Sequence, residues 1–127
     1  MQTITISTSS RTQFVDITST IQNTLSELGI NDGIITVFVP HTTAGITINE
    51  NADPDVTADM ELVLNRMIPW SAGYAHMEGN TAAHVKASLI GNSAQIIVEN
   101  GQLLLGTWQS IYFCEFDGPR TRKIWLK

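Results

Sequence analysis

The sequence is poor in cysteine and contains no long apolar run. Its single cysteine, Cys114, excludes an internal disulfide framework, and its place in the apolar run 111–114 favours a buried thiol over a nucleophile. No apolar segment is long enough to span a bilayer, and the N-terminal residues alternate as in a strand instead of forming a signal peptide. We therefore expect a cytoplasmic protein with no membrane partner.

Basic residues, and charged residues in general, are scarce as well. Twelve acidic residues outnumber seven basic ones and give a net charge of −5, whereas nucleic-acid-binding proteins usually carry a basic excess. This balance argues against a nucleic-acid partner. Charged residues make up only 15% of the 127 residues, and a surface with so little charge favours an oligomer whose subunits cover one another.

Strand-like and helix-like patterns follow one another without a repeat or a linker, which predicts one domain covering residues 1–127. Strand patterns occupy seven segments: 2–8, 33–39, 44–50, 94–98, 102–105, 107–116 and 121–126. Asn100-Gly101 and Asp117-Gly118 are hairpin signals, so most neighbouring strands should be antiparallel. The prediction is an α+β fold of mostly antiparallel, sandwich-like sheets with about three helices packed on them.

Apolar spacing and capping residues predict the three helices. The first ends at Gly29, a residue suited to a helix C-terminus. The second starts at Asp53-Pro54, where Asp can cap free amides and Pro fits the first turn, and the third runs from Asn80 to Gly91. Inward-facing stripes on the second and third helices would comprise Val56, Met60, Val63, Met67, Val85 and Leu89.

The densest polar segment begins at His41, directly after the strand that ends near Pro40. This strand should deliver His41 to a sheet edge, and the next strand leads from there to a second run of polar side chains. Such groups can bind a substrate, although Asn, Asp and Thr also favour turns and caps for reasons of their own backbone. The candidate residues are His41, Thr42, Thr43, Asn49, Glu50, Asn51 and Asp53.

A second polar cluster lies around the start of the third helix. Asn80 and His84 are four residues apart and share one helix face, and His76 precedes them in a loop. Helix N-termini attract phosphates and carboxylates, which favours a binding role for this cluster. A lone helical histidine is more often structural, and without an HExxH or CxxC pattern the spacing alone is weak evidence for a metal site.

Two segments of the C-terminal half carry further candidates. Thr107 lies in a short glycine-containing segment, where backbone amides could approach a ligand or a glycine bulge could explain the composition. Arg120 and Arg122 are two residues apart on a predicted strand and point to one face, so they could bind a phosphate together. Their pairing with Glu115 or Asp117 across the hairpin is the structural alternative.

Taken in order, these segments resemble the YjbQ family, which is often labelled secondary thiamine-phosphate synthase. The matching stretches are His41–Gly45, Asn49–Pro54, Asn80–His84 with Leu89 and Gly91, Gly106–Gln109 and Asp117–Arg120. The resemblance implies a compact α+β domain that assembles as a homotrimer. It also implies a pocket near a subunit boundary in which His41, His76 and His84 are the metal ligands.

The family label names a reaction in which a pyrimidine diphosphate joins a thiazole phosphate and pyrophosphate is released. That reaction needs a magnesium-type cation, for which the sequence offers Asp53, Asp55 and Asp59, and donors that hold the phosphates. Three imidazoles instead suit a zinc-like ion, whose bound hydroxide performs hydrolysis. A divalent metal is therefore expected, zinc-like by its ligands and magnesium by the family label.

Three hypotheses follow for the function. The first is an enzyme that handles a phosphorylated small molecule, with thiamine-phosphate synthesis as a weak or secondary activity, and the second is a zinc-dependent hydrolase. The third is a non-catalytic homotrimer that binds a metal or a small molecule. As an enzyme, the protein would use His41, His84, Asn49 and Asp53 in catalysis. Its substrate-binding residues would be Thr42, Thr43, Glu50, Asn51, Asn80, Thr107, Arg120 and Arg122.

Overall fold

The computed structural model describes residues 1–127, which form eight strands and three helices. In chain order these are β1 (Gln2–Ser7), β2 (Gln13–Asp16), α1 (Thr18–Leu28), β3 (Gly33–Phe38), β4 (Ala44–Glu50), α2 (Pro54–Met67), α3 (Thr81–Ile90), β5 (Ser93–Glu99), β6 (Gln102–Leu103), β7 (Gln109–Glu115) and β8 (Thr121–Leu126). The predicted α+β class is confirmed. The apolar pattern did not predict β2, because four residues are too few to show an alternation.

The strands form two antiparallel sheets that share one core. The larger sheet has the order β1-β8-β3-β5-β6 and the smaller one the order β2-β7-β4. Buried apolar side chains of both sheets meet in one cluster, to which α1 adds Ile21 and Leu25. A smaller cluster joins Cys114 and Phe116 to two alanines of α3, and burial raises the pKa of the Cys114 thiol. This second cluster holds α3 against the smaller sheet.

The helices end where capping residues predict, and none of them is long and apolar enough to cross a membrane. Gly29 ends α1 with a φ of 68°, a left-handed conformation that glycine adopts without steric cost. The Asp53 carboxylate accepts a hydrogen bond from the Asp55 amide at 2.9 Å, and Pro54 occupies the first turn of α2. The predicted start of α2 is therefore confirmed.

The apolar stripes predicted to face inward on α2 and α3 are not buried in the single chain, so that prediction is wrong. Val56 and Met60 are half-buried, and the other four residues are exposed. α2 buries none of its residues, and Val63 and Met67 are 48% and 64% exposed. On α3 the buried positions are three alanines and Lys86, whereas Leu89 is 60% exposed. The small alanines allow α3 to approach the sheet closely, and this contact turns its larger apolar side chains towards solvent.

Gly45 of β4 determines how closely α3 approaches the sheet. A Cβ atom at this position would lie 2.6 Å from the carbonyl oxygen of Gly91, which is closer than Cβ atoms come in real structures. The Ile46 amide donates a hydrogen bond to the same oxygen at 3.0 Å. The end of α3 is thus joined directly to the start of β4, and His84 comes to lie beside the segment that connects β3 with β4.

Candidate functional site

The three histidines of the chain line one cavity of about 490 Å³, which we call the histidine cavity. None of its eleven lining residues is hydrophobic. They are Pro40, His41, Thr42, Thr43, His76, Glu78, Asn80, His84, Asp117, Arg120 and Arg122. A second hollow of about 470 Å³ shares His41, Thr42 and His84 with it and continues along α3 to Gly91.

His41 is held in one tautomer by the backbone of β8. Its Nε2 atom accepts a hydrogen bond from the Lys123 amide at 2.9 Å. Because Nε2 is the acceptor, the neutral ring carries its proton on Nδ1 and presents an N–H donor there. Burial lowers the pKa of His41, and the nearby Arg122 guanidinium lowers it further. At neutral pH His41 is therefore an uncharged hydrogen-bond donor.

His76 and His84 form an edge-to-face pair, with ring centroids 5.6 Å apart and ring planes at 84°. His76 lies in the exposed loop before α3, where its carbonyl accepts a hydrogen bond from the Gly79 amide at 3.2 Å. His84 lies on α3, one turn after Asn80. The loop and the helix therefore place two imidazoles in direct contact within the cavity.

Asn80 stands at the start of α3 but does not cap it. Its side chain makes no hydrogen bond to the helix amides, and its Nδ2 atom donates to Glu78 Oε2 at 2.7 Å and to Asp117 Oδ2 at 2.9 Å. The buried Oδ1 atom has no hydrogen-bond partner. The first amides of α3 are thus left without a side-chain cap next to the cavity, where they favour an anion.

Arg122 anchors the wall of the cavity through a buried ion pair. Its Nε and Nη2 atoms bind the two carboxylate oxygens of Glu115, and Nη2 also donates to Thr43 Oγ1 at 2.8 Å. Burial alone would raise the pKa of Glu115, but hydrogen bonds from Arg122, the Asp117 amide and Thr8 outweigh it and lower the pKa. Nη1 of Arg122 makes no hydrogen bond and is not enclosed by protein, so it is the donor left for the cavity.

Arg120 lies at the rim of the cavity in an exposed ion pair. Its Nη2 atom is 3.1 Å from Asp117 Oδ2, and its Nε atom donates to the Asp117 carbonyl at 2.9 Å. Arg120 therefore pairs with Asp117 in the β7–β8 connection and Arg122 with Glu115 at the end of β7, which is the alternative that the sequence left open. Arg120 is 48% exposed and can turn towards a ligand, whereas Arg122 is fixed.

Five predicted site residues lie away from the histidine cavity, and we call them the β4-end cluster. They are Asn49, Glu50, Asn51, Asp53 and Thr107. Because a strand rises about 3.3 Å per residue, the far end of the seven-residue β4 is about 20 Å from the cavity. The Asn51 amide donates to the Trp108 carbonyl at 3.0 Å, which joins the two segments of this cluster. Within one chain, the predicted site is split in two.

Local structural roles account for part of the β4-end cluster. Asp53 caps α2, and the side-chain amide of Asn51 donates to Ser110 Oγ. Beside Thr107, the Gly106 amide donates to Gln109 Oε1 at 2.8 Å and the Gln109 amide donates to the Gly106 carbonyl at 3.0 Å, so these residues form a tight turn. The sequence patterns that suggested ligand binding at these positions thus reflect capping and turn formation as well.

The expected metal ligands do not form a ready set within one chain. No group of three His, Cys, Asp or Glu side chains is placed to hold a metal ion. This applies to the three histidines and equally to the aspartates Asp53, Asp55 and Asp59. His41 Nε2 already accepts the Lys123 amide, so it has no free lone pair for a cation. The metal stays a prediction without support from this geometry.

Two supporting residues of the cavity were missed from the sequence. Thr8 donates from its hydroxyl to Glu115 Oε1 at 2.8 Å, and no local pattern points to a contact between residues so far apart in the chain. Glu78 accepts the hydrogen bond from Asn80, and its position two residues before this helix start was a signal that could have been used. Both residues position the side chains that line the cavity.

Residues 2–127 match the model of the family described as UPF0047 protein YjbQ-like. This chain belongs to that family. The UPF0047 protein YugU of Bacillus subtilis (strain 168) is 55% identical over 128 residues, which cover 100% of this chain and 97% of the relative. The UPF0047 protein YjbQ of Salmonella typhimurium is 40% identical over 126 residues, covering 94% of this chain and 91% of the relative.

Solved structures of UPF0047 proteins and similar chains have the same fold. An uncharacterised YjbQ/UPF0047 protein from Clostridium acetobutylicum has a TM-score of 0.96 and 56% identity, covering 100% of this chain and 98% of that one. A conserved hypothetical protein from Thermus thermophilus has a TM-score of 0.94 and 38% identity, with the same coverage of 100% and 98%. The predicted family and its fold are therefore confirmed. These names state no reaction.

Proposed function

We propose that this UPF0047 protein is an enzyme that binds and reacts with a phosphorylated small molecule in the histidine cavity. The lining of the cavity carries the proposal: three imidazoles, two guanidinium groups and the uncapped start of α3, with no hydrophobic residue. The two carboxylates of the lining, Glu78 and Asp117, both accept hydrogen bonds from the Asn80 side chain. Phosphate oxygens need several donors of this kind. A site for an apolar molecule would instead be lined mainly by hydrophobic and aromatic side chains.

The hydrogen bonds inside the cavity suggest a role for each side chain. The Nδ1–H group of His41 and the Nη1 atom of Arg122 are fixed donors, and both are free to bind phosphate oxygens. Arg120 would close over the bound phosphate from the rim. His84, in contact with His76, is our choice for the group that transfers a proton, because imidazole is the commonest general acid and base.

The reaction we propose is the one that the family label names. The ring nitrogen of the thiazole phosphate would form a bond to the carbon that carries the diphosphate of the pyrimidine. The bond between this carbon and the diphosphate oxygen would break, and pyrophosphate would leave with a proton donated by His84. The negative charge that develops on the leaving pyrophosphate needs donors that are already in place before the bond breaks. Arg122 meets this requirement because its ion pair with Glu115 and its bond to Thr43 hold the guanidinium rigidly.

The test is the steady-state release of pyrophosphate from the pyrimidine diphosphate in the presence of thiazole phosphate. We expect turnover by the unmodified protein and a loss of at least about 100-fold in kcat for His84→Ala, the usual contribution of a general acid or base. Val85→Ala changes an exposed neighbour on the same helix and should leave the rate unchanged.

Two outcomes would overturn parts of this proposal. If His84→Ala is as active as Val85→Ala, His84 is not the proton-transfer group. If the unmodified protein releases no pyrophosphate, the reaction class is wrong, and a panel of phosphate monoesters then decides whether the cavity handles phosphate at all. Absence of turnover and of saturable binding across that panel would refute phosphate handling.

We also propose that the protein assembles as a homotrimer, the number of subunits being that implied by the family resemblance. Apolar side chains of α2 and α3 that are exposed or half-buried support assembly, since five of them surround a hollow of about 420 Å³. Its lining consists of Val56, Asp59, Met60, Val63, Leu64 and Ile90. A neighbouring subunit could also bring its own β4-end cluster to the histidine cavity, which one chain cannot do.

Sedimentation equilibrium tests this assembly. We expect a mass three times the 13.9 kDa of one chain. Val63→Glu places a charge in the apolar hollow and should dissociate the trimer, because an unpaired charge is costly in an apolar contact. Ala58→Glu adds the same charge at an exposed α2 position outside the hollow and serves as the matched control. A monomeric unmodified protein would refute the assembly.

A further inference from the structure

Lys86 is a buried cation on the side of α3 that faces away from the histidine cavity. It follows His84 by two residues, and two residues turn an α-helix by about 200°. The side chain is almost completely buried, with 2% of its surface exposed. A lysine is rarely buried to this degree unless its charge is paired. Its surroundings therefore call for an explanation.

No carboxylate pairs with Lys86. The chain contains two ion pairs, Arg120 with Asp117 and Arg122 with Glu115, and neither involves this residue. The only hydrogen bond of its ammonium group is donated to Asn65 Oδ1 at 2.6 Å. An ammonium group has three protons to donate, so two remain unused. The buried Arg122 guanidinium, in contrast, has a complete counter-charge.

The space next to Lys86 is the largest hollow of the chain, with a volume of about 600 Å³. It is lined by Ser10, Arg11, Thr12, Glu61, Asn65, Pro69, Trp70 and Lys86. Arg11 lies at the rim with its guanidinium carbon 4.2 Å from the centre of the Trp70 ring, and it too has no ion pair. We call this space the lysine cavity.

The charges around the lysine cavity favour an anion. Burial lowers the pKa of the Lys86 ammonium; the Glu61 carboxylate opposes this effect, and the Arg11 guanidinium adds to it. Lys86 and Arg11 therefore face the same space and repel each other, and the single carboxylate there forms an ion pair with neither. An oxyanion between the two cations would remove this repulsion and use the free protons of the ammonium group.

We propose that the lysine cavity is a second anion-binding site, which takes the phosphate or carboxylate group of a small molecule. Lys86 binds the anion from the floor of the cavity, and Arg11 binds it from the rim. The hydroxyl groups of Ser10 and Thr12 lie on the same lining and supply further donors. α3 thus separates two binding sites, with His84 facing one and Lys86 facing the other.

The test uses inorganic phosphate and acetate as separate probes, with the unmodified protein. The chain has only three lysines, so the ammonium signal of Lys86 can be followed by ¹⁵N NMR beside those of Lys123 and Lys127. We expect one of the two probes to shift the Lys86 signal in a saturable way and to leave Lys127 unchanged. Which probe does so identifies the anion as a phosphate or a carboxylate.

Variants locate the binding site and separate it from the histidine cavity. Arg11→Gln should weaken the effect on the Lys86 signal by about tenfold or more, as expected for a lost charge-assisted hydrogen bond. In calorimetry, Lys86→Met should remove the same binding event and Lys127→Met should not. His84→Ala should leave this event intact, so failure of the proposed enzyme activity would not affect the result.

Three results would overturn the proposal. The first is a Lys86 signal that responds to neither probe. The second is a response of the Lys86 signal that is the same in Arg11→Gln as in the unmodified protein. Arg11 is exposed, so Arg11→Gln should fold and remain informative even if Lys86→Met does not fold. The third is a Lys86 signal that does not respond to added anions but shifts when the proposed homotrimer is dissociated. In that case the counter-charge of Lys86 would be a carboxylate of a neighbouring subunit.

Discussion

Glu115→Gln removes one charge of the buried pair with Arg122 and keeps the shape of the side chain. The carboxylate accepts hydrogen bonds from Arg122 Nε at 2.9 Å, from Arg122 Nη2, from Thr8 at 2.8 Å and from the Asp117 amide at 3.1 Å. A glutamine side chain has only one acceptor oxygen, and its NH₂ group would face hydrogen-bond donors that now bind the second carboxylate oxygen. The Arg122 side chain is only 3% exposed, so water has little access to the Nε and Nη2 atoms that lose these bonds.

Two independent considerations give the size of the effect. Loss of two charge-assisted hydrogen bonds costs about 3–6 kcal/mol at about 1.5–3 kcal/mol each. Breaking a buried ion pair by removing one partner typically costs about 3–5 kcal/mol. With a urea m value of about 1.5 kcal/mol/M, a loss of 3–5 kcal/mol lowers the unfolding midpoint by about 2–3 M.

Urea unfolding followed by tryptophan fluorescence, at one fixed protein concentration, measures this shift. Arg120→Gln breaks the exposed pair with Asp117 and should cost less than about 1 kcal/mol. The double variant Glu115→Gln with Arg122→Met should be more stable than Glu115→Gln alone, because no uncompensated charge is left inside. If Glu115→Gln costs no more than Arg120→Gln, the buried pair does not hold the cavity wall as argued.

Gly45→Ala should destabilise the fold by about 1–3 kcal/mol, since its Cβ atom would meet the Gly91 carbonyl oxygen at 2.6 Å. Gly106→Ala meets only the flexible side chain of Gln109 and should be mild; equal unfolding midpoints for the two variants would contradict the close contact. The pKa of His41 in the folded protein lies below its ordinary value of 6.5. As the pH falls, His41 is therefore protonated in the unfolded chain before it is protonated in the folded one, and the free energy of unfolding should decrease below about pH 6.5. In unfolding curves measured over a series of pH values, His41→Gln should abolish this decrease. If the free energy of unfolding depends on pH in the same way in His41→Gln, the lowered pKa of His41 is not its cause. The pKa of Glu115 lies below 4.5, so its contribution is complete above that pH and is lost as the pH falls further.

Local signals in the sequence were sufficient for much of the fold. Gly29 and the Asp53-Pro54 pair mark helix ends because their backbone preferences act without help from the rest of the chain. The strands β3 and β4 were predicted from short apolar and alternating runs in the same way. The family and the α+β class rested on the order of several weak motifs, and both are confirmed.

Features that depend on packing could not be predicted in this way. The spacing of apolar residues shows that α3 has a preferred face, but it does not show that alanines pack on the sheet while Leu89 remains exposed. Likewise, polar residues at the two ends of β4 look like one site in the sequence, although an extended strand separates them. The partners Thr8 and Glu115 are 107 residues apart, and only the folded chain brings them together.

The order of the strands also has a consequence for how the protein is made. β7 is the middle strand of the smaller sheet, and β8 lies between β1 and β3 in the larger one. Gln2 of β1 is paired with Leu126 of β8, so β1 leaves the ribosome long before the strand that pairs with its backbone. Neither sheet can close on the nascent chain, and folding is deferred until synthesis of these strands is complete. Contacts between residues so far apart in the chain make folding slow, and the apolar strands stay exposed until their partners are made. These strands are the segments that a chaperone would need to protect from aggregation.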